Sequence, residues 1–107
     1  MSLFTMDGHL AIKKYLTKCN YVEAAMQVDE CESCDACEKW DEAAWVAREY
    51  LVLEESCRGS EFFDQETYED AKRTVDLCEK NKDWFDACWV AALYVKKVYK
   101  LLKVLKD

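Results

Sequence analysis

Apolar residues recur along this chain at intervals of three and four, the period of helices with one buried face. After Asp7, the positions Leu10, Ile12, Tyr15 and Leu16 predict a short first helix over residues 8–18. Asn20 followed by Glu23 matches the reciprocal capping pattern, so a second helix should open near Tyr21 and end near Glu32. It would bury Tyr21, Ala24, Ala25, Val28 and Cys31. Asp35 followed by Glu38 repeats the capping pattern and predicts a third helix running to about Ser56, before Arg58 and Gly59. Its buried stripe would be Trp40, Ala43, Ala44, Ala47, Tyr50 and Leu51, with the alanines admitting a close neighbour. Ser60 or Asp64 can cap a fourth helix whose inner face is Tyr68, Ala71, Val75 and Cys78, while Phe62 and Phe63 would cover one end of the core. Asp83 should cap a fifth helix that is apolar on nearly every side as far as Val95, and such a helix belongs at the centre. Beyond it Val98, Tyr99, Leu101, Leu102 and Leu105 continue an apolar stripe beneath a lysine-rich face.

The pattern is duplicated. Trp40, Ala43, Trp45, Val46, Ala47 and Tyr50 return 44 residues later as Trp84, Ala87, Trp89, Val90, Ala91 and Tyr94. Upstream, Tyr21, Ala24, Val28, Asp29 and Cys31 return as Tyr68, Ala71, Val75, Asp76 and Cys78 at an offset of 47. The sequence therefore predicts an all-α chain of about five helices forming one domain over residues 1–107. Its two duplicated antiparallel hairpins, at 21–51 and 68–95, would pack as a compact bundle or short helical repeat beside an N-terminal helix. Tetratricopeptide hairpins share the Trp, Tyr and Ala pattern but repeat every ~34 residues, so the period here places the chain outside them.

Composition agrees with helices joined by short turns, for there are two glycines and no proline in 107 residues. No apolar run approaches the ~20 residues of a membrane span, and the first residues have neither a basic start nor an apolar core, so a cytoplasmic protein without membrane contact is expected. The formal net charge is -7 and it is unevenly placed. Residues 31–66 are strongly acidic, whereas residues 96–107 carry Lys96, Lys97, Lys100, Lys103 and Lys106. Direct nucleic-acid binding is not expected from such a surface, and a basic protein partner is. The lysines at the end of the last helix complement its dipole and can cover apolar surface with their stems.

Two groups of residues carry candidate chemistry. Cys31, Cys34 and Cys37 have a spacing that recurs in zinc and iron-sulfur sites, with Cys57, Cys19 or His9 as a possible fourth ligand. Against a cluster, Glu30, Glu32, Asp35 and Glu38 would crowd thiolates that are already negative, and seven cysteines without a secretory signal read first as ordinary buried or turn thiols. Trp45 and Trp89 lie about 140° around their helices from Trp40 and Trp84 and so need a second neighbour or an exposed setting. Trp45 is the expected anchor, because Asp41, Arg48 and Glu49 surround it whereas Phe85 and Leu93 flank Trp89.

One histidine and no phosphate-binding glycine loop leave little for catalysis, and no enzyme is expected. The expected function is that of a small acidic helical protein that binds and blocks a basic surface of a larger, nucleic-acid-handling protein. Phages and other mobile elements make inhibitors of that general kind against host defence, anti-CRISPR proteins among them, and the analogy is one of composition alone. The expected contacts are Asp41, Glu42, Trp45, Arg48, Glu49 and Val52, with Glu38, Glu54 and Glu55 at the rim. The alternatives are a Zn or Fe-S protein using Cys31, Cys34, Cys37 and Cys57, and a homo-oligomer formed through residues 96–107.

Overall fold

The computed structural model describes the backbone of residues 3–32 and 43–105 and the side chains of 9–30 and 43–105. Among these residues there are five α-helices and no strand: α1 (Leu3–Lys18), α2 (Tyr21–Glu32), α3 (Ala44–Cys57), α4 (Gln65–Asn81) and α5 (Cys88–Leu105). A single 3-10 turn, Phe85–Ala87, precedes α5. The all-α bundle expected from the periodicity is the fold that forms.

Local chemistry accounts for the helix ends. The Asn20 side chain donates to the Glu23 carboxylate at 2.6 Å, and the Glu23 N–H points back at Asn20 Oδ1 at 3.4 Å, which starts α2 where the capping pair predicted. Asp64 caps α4, accepting from the Thr67 N–H at 3.1 Å and the Thr67 hydroxyl at 2.8 Å. Those donors favour the carboxylate and hold its pKa below the usual value. Lys82 ends α4 in the left-handed region, φ 56°, and its N–H returns to the Cys78 carbonyl. The N-cap position of the 3-10 turn is Trp84, whose side chain makes no capping bond; Asp83 before it serves the turn instead of α5, accepting from the Phe85 N–H at 3.1 Å. The first helix begins earlier than expected, at Leu3, because Gly8 lowers helix propensity without ending a helix. The capping pair Asp35 and Glu38 lies outside the described residues.

The packing of the helices is crossed between the two copies of the repeat. The close neighbours are α3 with α5, α2 with α5, and α3 with α4, while α1 lies against both α3 and α5. Thus the first helix of each copy packs on the second helix of the other. Helices α3 and α5 run side by side in the same direction, since Arg48 meets Trp84 near their starts and Glu54 meets Lys97 further along. Helix α4 runs antiparallel to α3, with Arg48 on Glu79 at one end and Glu55 on Tyr68 at the other.

Burial follows the duplication. Ala43, Val46, Ala47 and Tyr50 are buried, as are their counterparts Ala87, Val90, Ala91 and Tyr94. Ala24 and Val28 of α2 match Ala71 and Val75 of α4 in the same way. The inner face of α3 is nevertheless wider than the predicted stripe. Val46, Leu53, Glu54 and Cys57 are also buried while Leu51 is only half-buried, because α3 is enclosed by α1, α4 and α5 together. Phe62 and Phe63 lean on the core, the first against His9 at 5.6 Å and the second against Tyr68 at 5.8 Å.

Candidate interaction surface

Among the described residues, the expected contacts on α3 point to different neighbours. Glu38, Asp41 and Glu42 lie outside the described residues. Trp45 is half-buried and packs against the core, so the sequence-based choice of it as the exposed anchor is not met. Arg48 reaches across to α4, where its Nε donates to Glu79 at 2.8 Å and its guanidinium covers the Trp84 ring at 4.7 Å. Glu49 turns toward α1 and accepts from the Tyr15 hydroxyl at 2.7 Å. Val52 is exposed, and Glu55 is exposed but paired with Arg58 and the Tyr68 hydroxyl, which hold its pKa down at about 2.

Glu54 corrects the reading most sharply. Expected at a solvent rim, it is fully buried, ion-paired with Lys97 of α5, and accepts from the Tyr50 hydroxyl at 2.8 Å. Lys97 completes the arrangement by donating to the Phe62 carbonyl at 2.7 Å. A carboxylate can stay inside only with such partners, since an uncompensated buried charge costs several kcal/mol. The signal was available in the repeat. Glu54 aligns with Val98 and Lys97 with Leu53 of the opposite copy, and both of those are fully buried. Positions that are apolar in one copy should be interior in the other.

A second polar cluster ties α1 to the parallel pair. Tyr15 shares a hydrogen bond with the Tyr94 hydroxyl at 2.9 Å, with the rings edge to face. Burial raises the pKa of Tyr15 and of Tyr94, and for Tyr15 the neighbouring hydroxyl and the Glu49 carboxylate add to it. These hydrogen bonds join α1 to both α3 and α5.

The cysteine hypothesis is mostly out of view. Cys34 and Cys37 lie outside the described residues, and Cys31 sits in the last turn of α2. Cys57 is buried in the core, and burial pushes its thiol up to about 11, which disfavours the thiolate that a metal requires. Among the described residues no group of three or more His, Cys, Asp or Glu side chains converges to hold a metal ion. His9, the alternative ligand, instead pairs with Glu61 at 2.8 Å.

The stripe expected to form oligomers is divided: Leu102 and Leu105 are half-buried and line an open groove with Leu16 and Tyr21, and Tyr99 is exposed. Val98 and Leu101 are fully buried and Tyr99 meets Tyr21 edge to face at 5.9 Å. No described helix is long and apolar enough to cross a membrane.

The other copy carries an exposed tryptophan. At the corner where α4, the 3-10 turn and α5 meet, Trp89 is 38% exposed, Phe85 47% and Leu77 59%. The 3-10 turn packs against both α4 and α5 and stands between them, leaving one flank of the first turn of α5 uncovered. Leu77 and Trp89 line a groove of about 330 Å³ there, together with Thr74, Asn81, Asp83 and Asp86. Sequence reasoning set Trp89 aside because Phe85 and Leu93 flank it, but Leu93 leans inward on the core while Phe85 is exposed. Comparison with protein-family models, with curated proteins and with solved structures found nothing that matches this chain.

Proposed function

We propose that this protein is a non-catalytic binding protein that docks the corner of α4, the 3-10 turn and α5 onto a basic surface of a larger protein. The observation that carries the reading is a groove in which exposed Leu77 and Trp89 stand beside the carboxylates Asp83 and Asp86, with Phe85 exposed on the adjoining 3-10 turn, on a chain of net charge -7. Large aromatic side chains supply most of the binding energy at interfaces, and carboxylates beside them select a basic partner and speed its approach. Occupying such a surface blocks it, which is the inhibitory role that the composition led us to expect.

The experiment compares Trp89→Ala with Trp45→Ala in binding to a purified partner, first sought at low salt with the intact chain. Trp89→Ala should weaken binding by tenfold or more while thermal stability changes little, since ~2 kcal/mol is typical of an aromatic hot spot. Trp45→Ala should lower stability instead. Raising the salt should weaken the wild-type complex. Full affinity in Trp89→Ala, or binding insensitive to salt, would remove this corner from the account.

A further inference from the structure

We infer that the groove beside Trp89 is a seat for an arginine side chain of the partner, an inference that rests on the docking role proposed above. The chain itself builds this kind of seat twice. Arg48 lies over the Trp84 ring at 4.7 Å and donates to Glu79 at 2.8 Å. Arg58 lies over Phe63 at 4.6 Å and places two nitrogens on the Glu55 carboxylate, each at 2.8 Å. In both, a flat guanidinium is held between an aromatic face and a carboxylate, the combination that suits arginine better than lysine.

The third aromatic and carboxylate corner has the same parts without the cation. Trp89 offers a partly exposed ring, Leu77 an apolar wall for a methylene stem, and Asp83 and Asp86 the carboxylates. No lysine or arginine among the described residues lines the groove, and none lies over the Trp89 ring. Lys82, next to Asp83 in the sequence, lines the separate groove of Arg48, Glu79 and Trp84. Asp83 is held in place by the Phe85 N–H, so its carboxylate is fixed before anything binds. Both carboxylates act on one point at the groove floor: after the larger effect of burial, Asp86 and then Asp83 raise the pKa of the Cys78 thiol. At about 330 Å³ the groove sits at the small end of ligand sites, roughly 300–1,000 Å³, and fits one long side chain in place of a helix.

The test uses the whole protein labelled with nitrogen-15, with the Trp89 indole signal assigned through Trp89→Phe. Blocked oligo-arginine and oligo-lysine peptides of equal length and charge are titrated separately. The expected result is a shift of the Trp89 indole signal by the arginine peptide, with an affinity about fivefold or more above that of the lysine peptide. Asp83→Asn combined with Asp86→Asn should abolish that preference while the fold is unchanged, since asparagine keeps an acceptor for the Phe85 N–H. Equal affinities, with Trp89 shifted by both peptides, would overturn the arginine seat and leave docking on a basic surface standing. A Trp89 signal unmoved by either peptide would overturn both.

Discussion

Glu54 and Lys97 form a contact that is costly to disturb, because the Glu54 carboxylate is fully buried. Two charges taken from water are stable only because each has a further partner, the Tyr50 hydroxyl on one side and the Phe62 carbonyl on the other. Lys97→Met would leave the Glu54 carboxylate buried with its charge unmet and should lower unfolding free energy by about 3–5 kcal/mol. Adding Glu54→Gln keeps an acceptor for Tyr50 and removes the charge, so the double variant should recover more than half of that loss. Urea titrations of the three proteins measure both effects, and additive losses would show that the pair does not act as a unit. Cys57, nearby in the core, links stability to alkaline pH. Its folded pKa of about 11 lies above the usual value near 9. The thiol is therefore neutral in both states below about pH 9, and stability is intact there. Between about 9 and 11 only the unfolded chain loses the proton, so stability falls by up to ~1.4 kcal/mol per pH unit, and it levels off above the folded value. Half-buried Tyr15 and buried Tyr50 and Tyr94, all raised, steepen the same decline at its upper end. Urea midpoints from pH 8 upward should show it, and Cys57→Ala should flatten the earlier part.

The helix ends are where local sequence decided the outcome without help from the rest of the chain. Asn20 with Glu23, and Asp64 with Thr67, act on residues three positions away, so their effect could be read before any tertiary contact was known. Lys82 is the exception that tests the rule, because a non-glycine residue in the left-handed region is disfavoured by roughly 1 kcal/mol or more. Lys82→Gly should raise stability by up to about 1 kcal/mol in thermal unfolding, and a loss would mean that the Lys82 stem contributes packing in its groove. The buried face of α3 was less legible. Periodicity located Ala43, Ala44, Ala47 and Tyr50, but it could not place Val46, Leu53, Glu54 and Cys57 inside, because that depends on three neighbouring helices and not on α3 alone. Trp45 and Trp89 make the same point for the surface. They are equivalent in the duplication, yet one rests on the core and the other is exposed, and periodicity within a single helix cannot tell the two settings apart.

For the molecule as a whole, the duplication predicted two hairpins, and the structure uses the same helices with their partners exchanged. Helix α2 rests on α5 and α4 rests on α3, so each long helix-to-helix contact joins the two copies, while within the second copy α4 is held by the 3-10 turn. The consequence for folding is definite. A chain divided between Gly59 and Ser60 separates α1, α2 and α3 from α4 and α5, which leaves Val28 of α2 without its neighbour α5 and Val75 of α4 without α3. Deprived of that burial, helices of this length are marginal in water. Residues 1–59 and 60–107 should each show weak far-UV circular dichroism when prepared alone. Mixed in equal amounts they should regain the helical signal of the intact chain, with a midpoint that rises with concentration. Fragments that are each fully helical and unaffected by mixing would mean that the hairpins are autonomous and that the crossed packing contributes little. The predicted complementation also sets the terms for the docking corner. Trp89 belongs to α5, whose position is fixed by α2 and α3 of the other copy, so the 60–107 fragment should not bind a basic partner until 1–59 is supplied.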